Sequence, residues 1–261
     1  MTGAAGAPRL IMELRFVIDA FPDSAARYRR GYAVVAIDVI RATSMAITAV
    51  AGGRRCFPAA TLEAARRLAA GLPNPILAGE QSGRMPPGFD MNNSPAELAA
   101  RTDVSRPLVM LSTSGTKLMN NAMGSDVVYL ACFRNYSSVG RRLVAEGFPG
   151  VALLGAGSRV EFREEDQMCC AWVGAQLARE GYTPQDGKTA EIVERWEHAT
   201  PSHCLVSRSV DYLRRSGQLA DIDFILDRVD DLDDVFVLWN GEVMAQSHLV
   251  EVSVEAASSC A

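Results

Sequence analysis

The sequence carries no excess of positive charge and no long hydrophobic run. Its 261 residues include 26 Lys and Arg against 31 Asp and Glu, a formal net charge of −5. Such a chain has no general attraction for a phosphate backbone, so we expect no nucleic-acid partner. Its apolar stretches, such as residues 127–132 and 151–156, are far shorter than the roughly 18 residues of a membrane span, and the N-terminus lacks a signal-peptide region. We therefore expect a cytoplasmic protein with no membrane partner.

The sequence also has no cysteine or histidine motif of the kind that binds a metal or performs catalysis. The six cysteines are scattered without a Cys-x-x-Cys pair and only three histidines are present, so we expect reduced, mostly buried thiols rather than a zinc site. The motifs Gly-x-x-x-x-Gly-Lys-Ser/Thr, Gly-x-Ser-x-Gly and His-Glu-x-x-His do not occur. His198, His203 and His248 have no carboxylate or serine at a catalytic spacing, which disfavours a histidine phosphatase.

The chain does have a repeated alternation of predicted strands and helices. Hydrophobic residues make up 48% and charged residues 22%, which is typical of a globular protein. Along the first two thirds, short apolar runs alternate with turns and with stretches of helical periodicity, which predicts βα units and a largely parallel sheet. We expect five or six strands in one sheet, drawn from residues 33–37, 54–58, 75–78, 108–111, 127–131 and 151–154.

The last third of the chain has a different pattern. Residues 188–217 are polar with helical periodicity, and the runs 235–238 and 242–245 flank an Asn-Gly pair typical of a β-hairpin. The aspartate-rich segment 221–234 lacks the glycine and closing glutamate of an EF-hand loop, and we interpret it as a solvated acidic face. The predicted fold is α/β. It has a largely parallel βαβ core over residues 1–182, which carries the site, and a helical segment with a terminal hairpin over 183–261, packed on the core rather than independent.

Polar residues follow the predicted strands. Ligands of parallel α/β sheets bind at the carboxyl ends of the strands, so we expect these side chains to converge on one edge. They are Asp38 and Arg41 after the first strand, Glu80, Arg84 and Asp90 after the third, Ser112, Thr113, Ser114, Gly115 and Thr116 after the fourth, Arg134 and Asn135 after the fifth, and Arg159 and Asp166 after the sixth.

The hydroxyl-rich turn at residues 112–116 predicts an anion site. A strand ends and a helix begins here, so backbone N–H groups, hydroxyls and the helix dipole together suit a phosphate without any lysine. Gly115 would let a ligand approach closely. The alternative is a helix cap with no ligand.

The carboxylates after the strands predict a magnesium site, because Mg²⁺ prefers hard oxygen ligands. The candidates are Asp38, Glu80, Asp90 and Asp166. An ionised Asp38 at the end of a buried strand is costly unless a cation or several donors meet it, and the alternative is a salt bridge with Arg41. Glu165 and Asp166 point about 100° apart on a helix, and we choose Asp166 as the one that reaches the site.

Two motifs carry a family resemblance. Asp-x-x-Arg-Ala-Thr-Ser at residues 38–44 and Gly-Phe-Asp-x-x-Asn-Ser-Pro at residues 88–95 together resemble the 2-phosphosulfolactate phosphatase family. The likeness continues, in the same order over residues 30–180, through Gly79-Glu80, the 112–116 turn, and Gly155-Ala156-Gly157 with Asp166.

The resemblance implies a Mg²⁺-dependent α/β phosphatase that hydrolyses 2-phospho-3-sulfolactate to 3-sulfolactate and phosphate, a step toward coenzyme M. Under this hypothesis Asp38, Glu80 and Asp166 are catalytic and, with Asp90, hold Mg²⁺. The 112–116 turn and Arg41 would stabilise the transferring phosphoryl group. The remaining substrate anions would contact Arg84, Arg134, Asn135 and Arg159.

The sequence departs from the family pattern at four places. Ser114 replaces an Asn, Gln81 stands where a basic residue is common, Lys117 replaces an Arg, and residues 132–134 replace a small turn. We expect these changes to lie in the anion pocket, which leaves the substrate open. The alternatives are a relative that acts on another phosphorylated small molecule, for example in secondary metabolism, and a non-catalytic anion-binding protein. The sequence also leaves a homo-oligomer open.

Overall fold

The structure, a computed structural model, describes residues 13–158 and 161–247 as an α/β fold on a ten-stranded sheet. The strands are β1 (Arg15–Ala20), β2 (Ala33–Ile37), β3 (Cys56–Ala59), β4 (Ile76–Gly79), β5 (Leu108–Leu111), β6 (Val127–Ala131), β7 (Gly150–Gly155), β8 (Thr183–Pro184), β9 (Phe236–Trp239) and β10 (Glu242–Ala245). The helices are α1 (Ala42–Ala51), α2 (Leu62–Ala70), α3 (Pro95–Ala99), α4 (Gly115–Ala122), α5 (Tyr136–Glu146), α6 (Glu164–Arg179), α7 (Gly187–Trp196), α8 (Arg208–Arg215) and α9 (Leu219–Leu226). Two 3₁₀ helices cover Pro22–Tyr28 and Pro201–Val206.

The predicted α/β class is confirmed, with more strands than the five or six expected. All six predicted runs are strands, in the sheet order β4-β5-β3-β10-β9-β6-β2-β7-β1-β8. Strand β1, of six residues, was not predicted; its parallel partner β7 is more than a hundred residues away, with Arg15 opposite Gly150. The pairing that makes this run a strand is therefore tertiary rather than local.

The terminal hairpin forms as predicted. Its turn contains Asn240 and Gly241 with φ of 50° and 81°, the left-handed conformation for which an Asn-Gly pair is suited. The hairpin lies inside the sheet, with β10 beside β3 and β9 beside β6. The three successive pairings β6–β9, β9–β10 and β10–β3 are antiparallel. They divide the parallel strands into two groups, β6-β2-β7-β1-β8 and β4-β5-β3.

Both faces of the sheet are buried, which is why β2 is a continuous apolar run. Val35 and Ile37 face a core that includes residues of α5 and α6. Val34 and Ala36 face the opposite core, which includes residues of α1 and α4. Helix α4 packs against β2 and β3 alike, so it connects the two parallel groups.

Local sequence signals set several helix ends. Thr61 accepts a hydrogen bond from the N–H of Ala64 at the start of α2, and Ser94 accepts one from Glu97 at the start of α3, as the capping patterns predict. Cys56, Cys132, Cys169, Cys170 and Cys204 are buried free thiols, as expected. No helix in the described ranges has the length and apolarity needed to cross a membrane.

Candidate functional site

A cavity of about 710 Å³ lies where the loops after β2, β4, β5 and β7 meet helix α8. The predicted site residues in its wall are Asp38, Arg41, Glu80, Ser112, Thr113, Ser114 and Asp166. Further charged residues in the wall are Glu161, Arg163, Arg208, Asp211 and Arg215. The cavity therefore combines carboxylates, guanidinium groups and a hydroxyl-rich turn.

Asp38 stands at the end of β2, immediately before α1. Its carboxylate accepts a hydrogen bond of 3.2 Å from the N–H of Ala42 in the first turn of that helix. Burial, with the nearby charges of Glu80 and Glu165, raises the pKa of Asp38 to about 7, although the Ala42 hydrogen bond and Arg41 oppose the shift. This carboxyl group can thus gain or lose a proton near neutral pH.

Asp166 reaches the same cavity from the first turn of α6. Its two oxygens accept hydrogen bonds from the N–H groups of Val39, at 2.9 Å, and Gly157, at 3.3 Å. Burial and the charge of Asp38 raise the pKa of Asp166 well above its ordinary value. Two neighbouring buried carboxyl groups repel each other when both are ionised. Binding of a proton or a cation by the pair is therefore favoured.

Glu165, the adjacent residue, is fully buried and does not line the cavity. Burial raises its pKa as well. Of the two acidic neighbours at the start of α6, the cavity is lined by Asp166, the one chosen from helical geometry.

Glu80 connects the loop after β4 to the turn after β5. One oxygen accepts from the N–H of Thr113 at 2.6 Å, and the other accepts from the Thr113 hydroxyl at 2.7 Å and from the N–H of Gly83 at 2.6 Å. The carboxylate therefore holds two cavity loops together.

The turn after β5 begins α4 through reciprocal hydrogen bonds. The Thr116 N–H donates to Ser112 Oγ, and the Ser112 N–H donates to Thr116 Oγ1, each at 2.9 Å. The Ser112 hydroxyl thus satisfies an N–H in the first turn of α4, as the helix-cap alternative predicts, while Ser112, Thr113 and Ser114 also line the cavity. Gly115 provides close approach to Asp38 rather than to a ligand: a Cβ at Gly115 would lie 2.2 Å from Asp38 Oδ2.

Arg41 does not pair with Asp38. Its guanidinium forms a buried ion pair with Asp221 and donates to Gln218 at 2.5 Å. Asp221 also accepts from the Ser94 hydroxyl at 2.6 Å and from the Ala96 N–H at 3.1 Å. The interpretation of residues 221–234 as a solvated face is therefore wrong at Asp221, which is 1% exposed.

Four predicted contact residues lie elsewhere. Arg84 is exposed outside the cavity. Asp90 accepts from the Leu77 N–H at 2.8 Å. Arg134 forms two hydrogen bonds with Asp231, at 2.9 and 2.6 Å, and Asn135 is a buried residue whose side chain accepts from the Cys132 N–H and donates to the Leu130 carbonyl. The side chains of Asp90, Arg134 and Asn135 are thus engaged by partners outside the cavity, and Arg84 is exposed to solvent. Arg159 lies outside the described residues.

Helix α8 supplies cavity residues that the sequence analysis missed. Arg208, Tyr212 and Arg215 occur at positions i, i+4 and i+7, which places them on one face of a helix. This spacing is visible in the sequence, but α8 does not follow a strand directly, so the rule that ligands bind at strand ends does not point to it. Asn93, part of the quoted motif, also lines the cavity, is 3% exposed, and has an Oδ1 atom without a hydrogen-bond partner in the described part of the chain.

The carboxylates suit a magnesium ion that has few protein ligands. Within residues 13–158 and 161–247, no group of three or more His, Cys, Asp or Glu side chains is placed to hold a metal ion. Mg²⁺ commonly uses one or two carboxylates and completes its shell with waters and a substrate phosphate. The buried neighbours Asp38 and Asp166 provide that chemistry, whereas Glu80 is engaged by Thr113 and Gly83.

Comparison with known proteins gives the family. The sequence model of 2-phosphosulpholactate phosphatase matches residues 20–241. The chain belongs to the 2-phosphosulfolactate phosphatase family. This family is one of phosphoric monoester hydrolases, so the chain is an enzyme of that class, and the resemblance drawn from its motifs is confirmed.

Named relatives agree with this assignment. A probable 2-phosphosulfolactate phosphatase of Symbiobacterium thermophilum is 32% identical over 186 residues, covering 64% of this chain and 79% of the relative. One from Clostridium perfringens strain SM101 is 26% identical over 251 residues, covering 93% of this chain and 100% of the relative. One from Deinococcus radiodurans is 30% identical over 215 residues, covering 81% and 88%.

The departures from the family pattern are mostly outside the cavity. Gln81 is exposed, and Lys117 pairs with Asp23 at 3.3 Å on the surface. Neither residue lines the cavity, and neither does the segment 132–134. Of the four departures, Ser114 is the one in the cavity wall. The expectation that all four lie in the anion pocket is therefore wrong.

Proposed function

We propose that this protein hydrolyses 2-phospho-3-sulfolactate to 3-sulfolactate and phosphate, with Mg²⁺ as its metal. The single observation that carries the proposal is the pair of buried carboxyl groups, Asp38 and Asp166, beside the turn that begins α4, inside one cavity. The family membership and the relatives' names support the substrate.

Asp38 and Asp166 are the residues that would hold Mg²⁺. When bound, the ion would offset the negative charge of the carboxylates and of the substrate phosphate. Beside the ion, the Asp38 carboxylate would also position the attacking water. Under this proposal Asp38 would serve both metal binding and the positioning of water, and Asp166 would serve metal binding.

The remaining wall residues would bind and orient the phosphate ester. The turn at residues 112–114 lies at the N-terminus of α4, where backbone N–H groups and the helix dipole favour an anion. Arg41 lines the cavity and is fixed in position by Asp221. A phosphoryl group held between these elements would have its developing charge stabilised without rearrangement of the protein.

A different phosphorylated small molecule is the second candidate substrate. It is favoured by one observation, namely that Ser114 stands in the cavity wall where the family usually has Asn. A shorter side chain there changes which group of a substrate can be contacted. A third alternative, a non-catalytic anion-binding protein, would bind these molecules without turnover.

The deciding experiment measures phosphate release from 2-phosphosulfolactate and from a panel of other phosphate monoesters, with Mg²⁺ or with EDTA. We expect release from 2-phosphosulfolactate that requires Mg²⁺ and is lost in Asp38→Asn. Release from another ester alone would show that the substrate is a different phosphate ester. Release in EDTA would show that the reaction needs no metal, and no release from any ester would favour a non-catalytic binding protein.

A further inference from the structure

Helix α8 forms one wall of the cavity and is attached on both sides. The Tyr212 hydroxyl donates a hydrogen bond of 2.6 Å to the Gly83 carbonyl in the loop after β4. Arg208 pairs with Glu161, which follows β7. The helix thus spans the distance between two cavity loops, and its Arg208, Tyr212 and Arg215 share the face that lines the cavity.

Two guanidinium groups in this wall share one carboxylate. Glu161 Oε2 contacts Arg208, and the same oxygen lies 3.6 Å from Arg163 Nη1. The Arg163 side chain is 14% exposed, and its Nη1 atom is buried without a hydrogen-bond partner among the described residues. A buried donor left unpaired is unfavourable, so this cluster can accept another anionic acceptor.

Buried carboxyl groups also line this cavity. Asp38 and Asp166 are buried carboxyl groups, and Glu80 lies beside the same turn. A second anionic group on a substrate would be repelled there and attracted toward the arginines. The arginines are therefore the groups in this wall that favour a further negative group of a phosphate ester.

We propose that Arg163 and Arg208 bind the second anionic group of the substrate, a carboxylate or a sulfonate, and that Glu161 occupies this position until substrate arrives. The planar guanidinium fork suits both oxyanions. This inference rests on the proposed function and names the residues that would contact the part of the substrate other than its phosphate. Arg163 and Arg208 take the role that the sequence analysis gave to Arg84 and Arg134.

Calorimetric titration with 3-sulfolactate and, separately, with inorganic phosphate tests the inference. We expect Arg208→Ala and Arg163→Ala each to weaken 3-sulfolactate binding by about tenfold or more, with phosphate binding changed less than about twofold. Arg214→Ala is the matched control, because Arg214 is an arginine of the same helix that does not line the cavity. Its binding of both ligands should equal that of the wild type.

A Glu161→Gln variant distinguishes an anion-binding role of these arginines from a purely structural role of their contact with Glu161. Removing the competing charge should tighten 3-sulfolactate binding several-fold, whereas a purely structural Glu161 would give weaker or unchanged binding. Arg208 is 68% exposed, so Arg208→Ala is decisive even if Arg163→Ala fails to fold.

Three results would overturn the inference: equal losses for phosphate and 3-sulfolactate, no loss for either, or no binding of 3-sulfolactate by the wild type. A wild type that binds 3-sulfolactate through these arginines but releases no phosphate from 2-phosphosulfolactate would overturn the proposed function and leave the inference standing.

Discussion

Gly115 packs directly against the carboxylate of Asp38. A Cβ at this glycine would lie 2.2 Å from Asp38 Oδ2 and 2.4 Å from the Cβ of Ala42. The absence of a side chain at the start of α4 therefore allows the end of β2 and the turn after β5 to meet. These two segments belong to different parallel groups of the sheet.

Gly115→Ala should displace Asp38 and damage the site. We expect kcat/KM for the phosphate ester to fall about 100-fold or more, because small misplacements of catalytic groups have large effects. The free energy of unfolding should fall by roughly 1–3 kcal/mol from overpacking. Gly187→Ala is the control, since Gly187 is also the first residue of a helix and a Cβ there contacts nothing within 4 Å. Full activity in Gly115→Ala would contradict this account of the site.

Asp38→Asn should inactivate the enzyme and stabilise its fold at alkaline pH. The pKa of Asp38 is about 7 in the folded protein and about 4 in an unfolded chain. The folded state therefore holds this proton more tightly, and stability falls as pH rises from about 4 to about 7. Asn removes that loss, so its unfolding free energy should exceed that of the wild type by roughly 1–3 kcal/mol at pH 8. Urea denaturation at pH 4 should show no such gain, and an equal gain at both pH values would rule out the ionisation as its cause.

Mg²⁺ binding should depend on pH and on the Asp38–Asp166 pair. The carboxyl groups must lose their protons to bind a cation, so calorimetric affinity for Mg²⁺ should rise between pH 6 and pH 8. Asp166→Asn should weaken the affinity by about tenfold or more. Asp90→Asn is the control, because Asp90 bonds to the Leu77 N–H outside the cavity. Loss of Mg²⁺ binding in Asp90→Asn would instead show that Asp90 is a metal ligand.

Asp221→Ala should leave Arg41 buried without its partner. Removing one member of a buried ion pair typically destabilises a protein by about 3–5 kcal/mol, and here the Ser94 hydroxyl and the Ala96 N–H lose their acceptor as well. Asp223→Ala, an exposed position on the same helix, should change stability by less than about 0.5 kcal/mol. Thermal denaturation compares the two, and similar melting temperatures would show that the ion pair contributes little.

An Asp221→Asn variant distinguishes the role of Asp221 in positioning Arg41 from its role in the stability of the fold. The amide retains an acceptor for Ser94 but removes the charge that holds Arg41. We expect a folded enzyme whose kcat falls by about tenfold, with a smaller change in KM, because Arg41 would act on the charge that develops in the transition state. Unchanged kcat would limit Asp221 to a structural role.

The sequence by itself determined the local elements and the main carboxylates of the site. Apolar runs marked six strands, caps marked α2 and α3, and the Asn-Gly pair marked the hairpin, because hydrophobic periodicity and turn conformation are local properties. The residues directly after β2, β4 and β5 were found for the same reason: Asp38, Glu80 and residues 112–114 line the cavity.

Only the tertiary structure decided which polar groups remained available to a ligand. Arg134 pairs with Asp231 and Asp90 accepts from the Leu77 N–H, both outside the cavity, whereas Arg41 pairs with Asp221 and still lines the cavity. These partners lie between 13 and 180 residues away in the chain. The position of the hairpin inside the sheet and of α8 over the cavity likewise depends on contacts between distant segments. A sequence pattern reports what a residue can do chemically, but burial and partner choice are set by the packing of the whole chain.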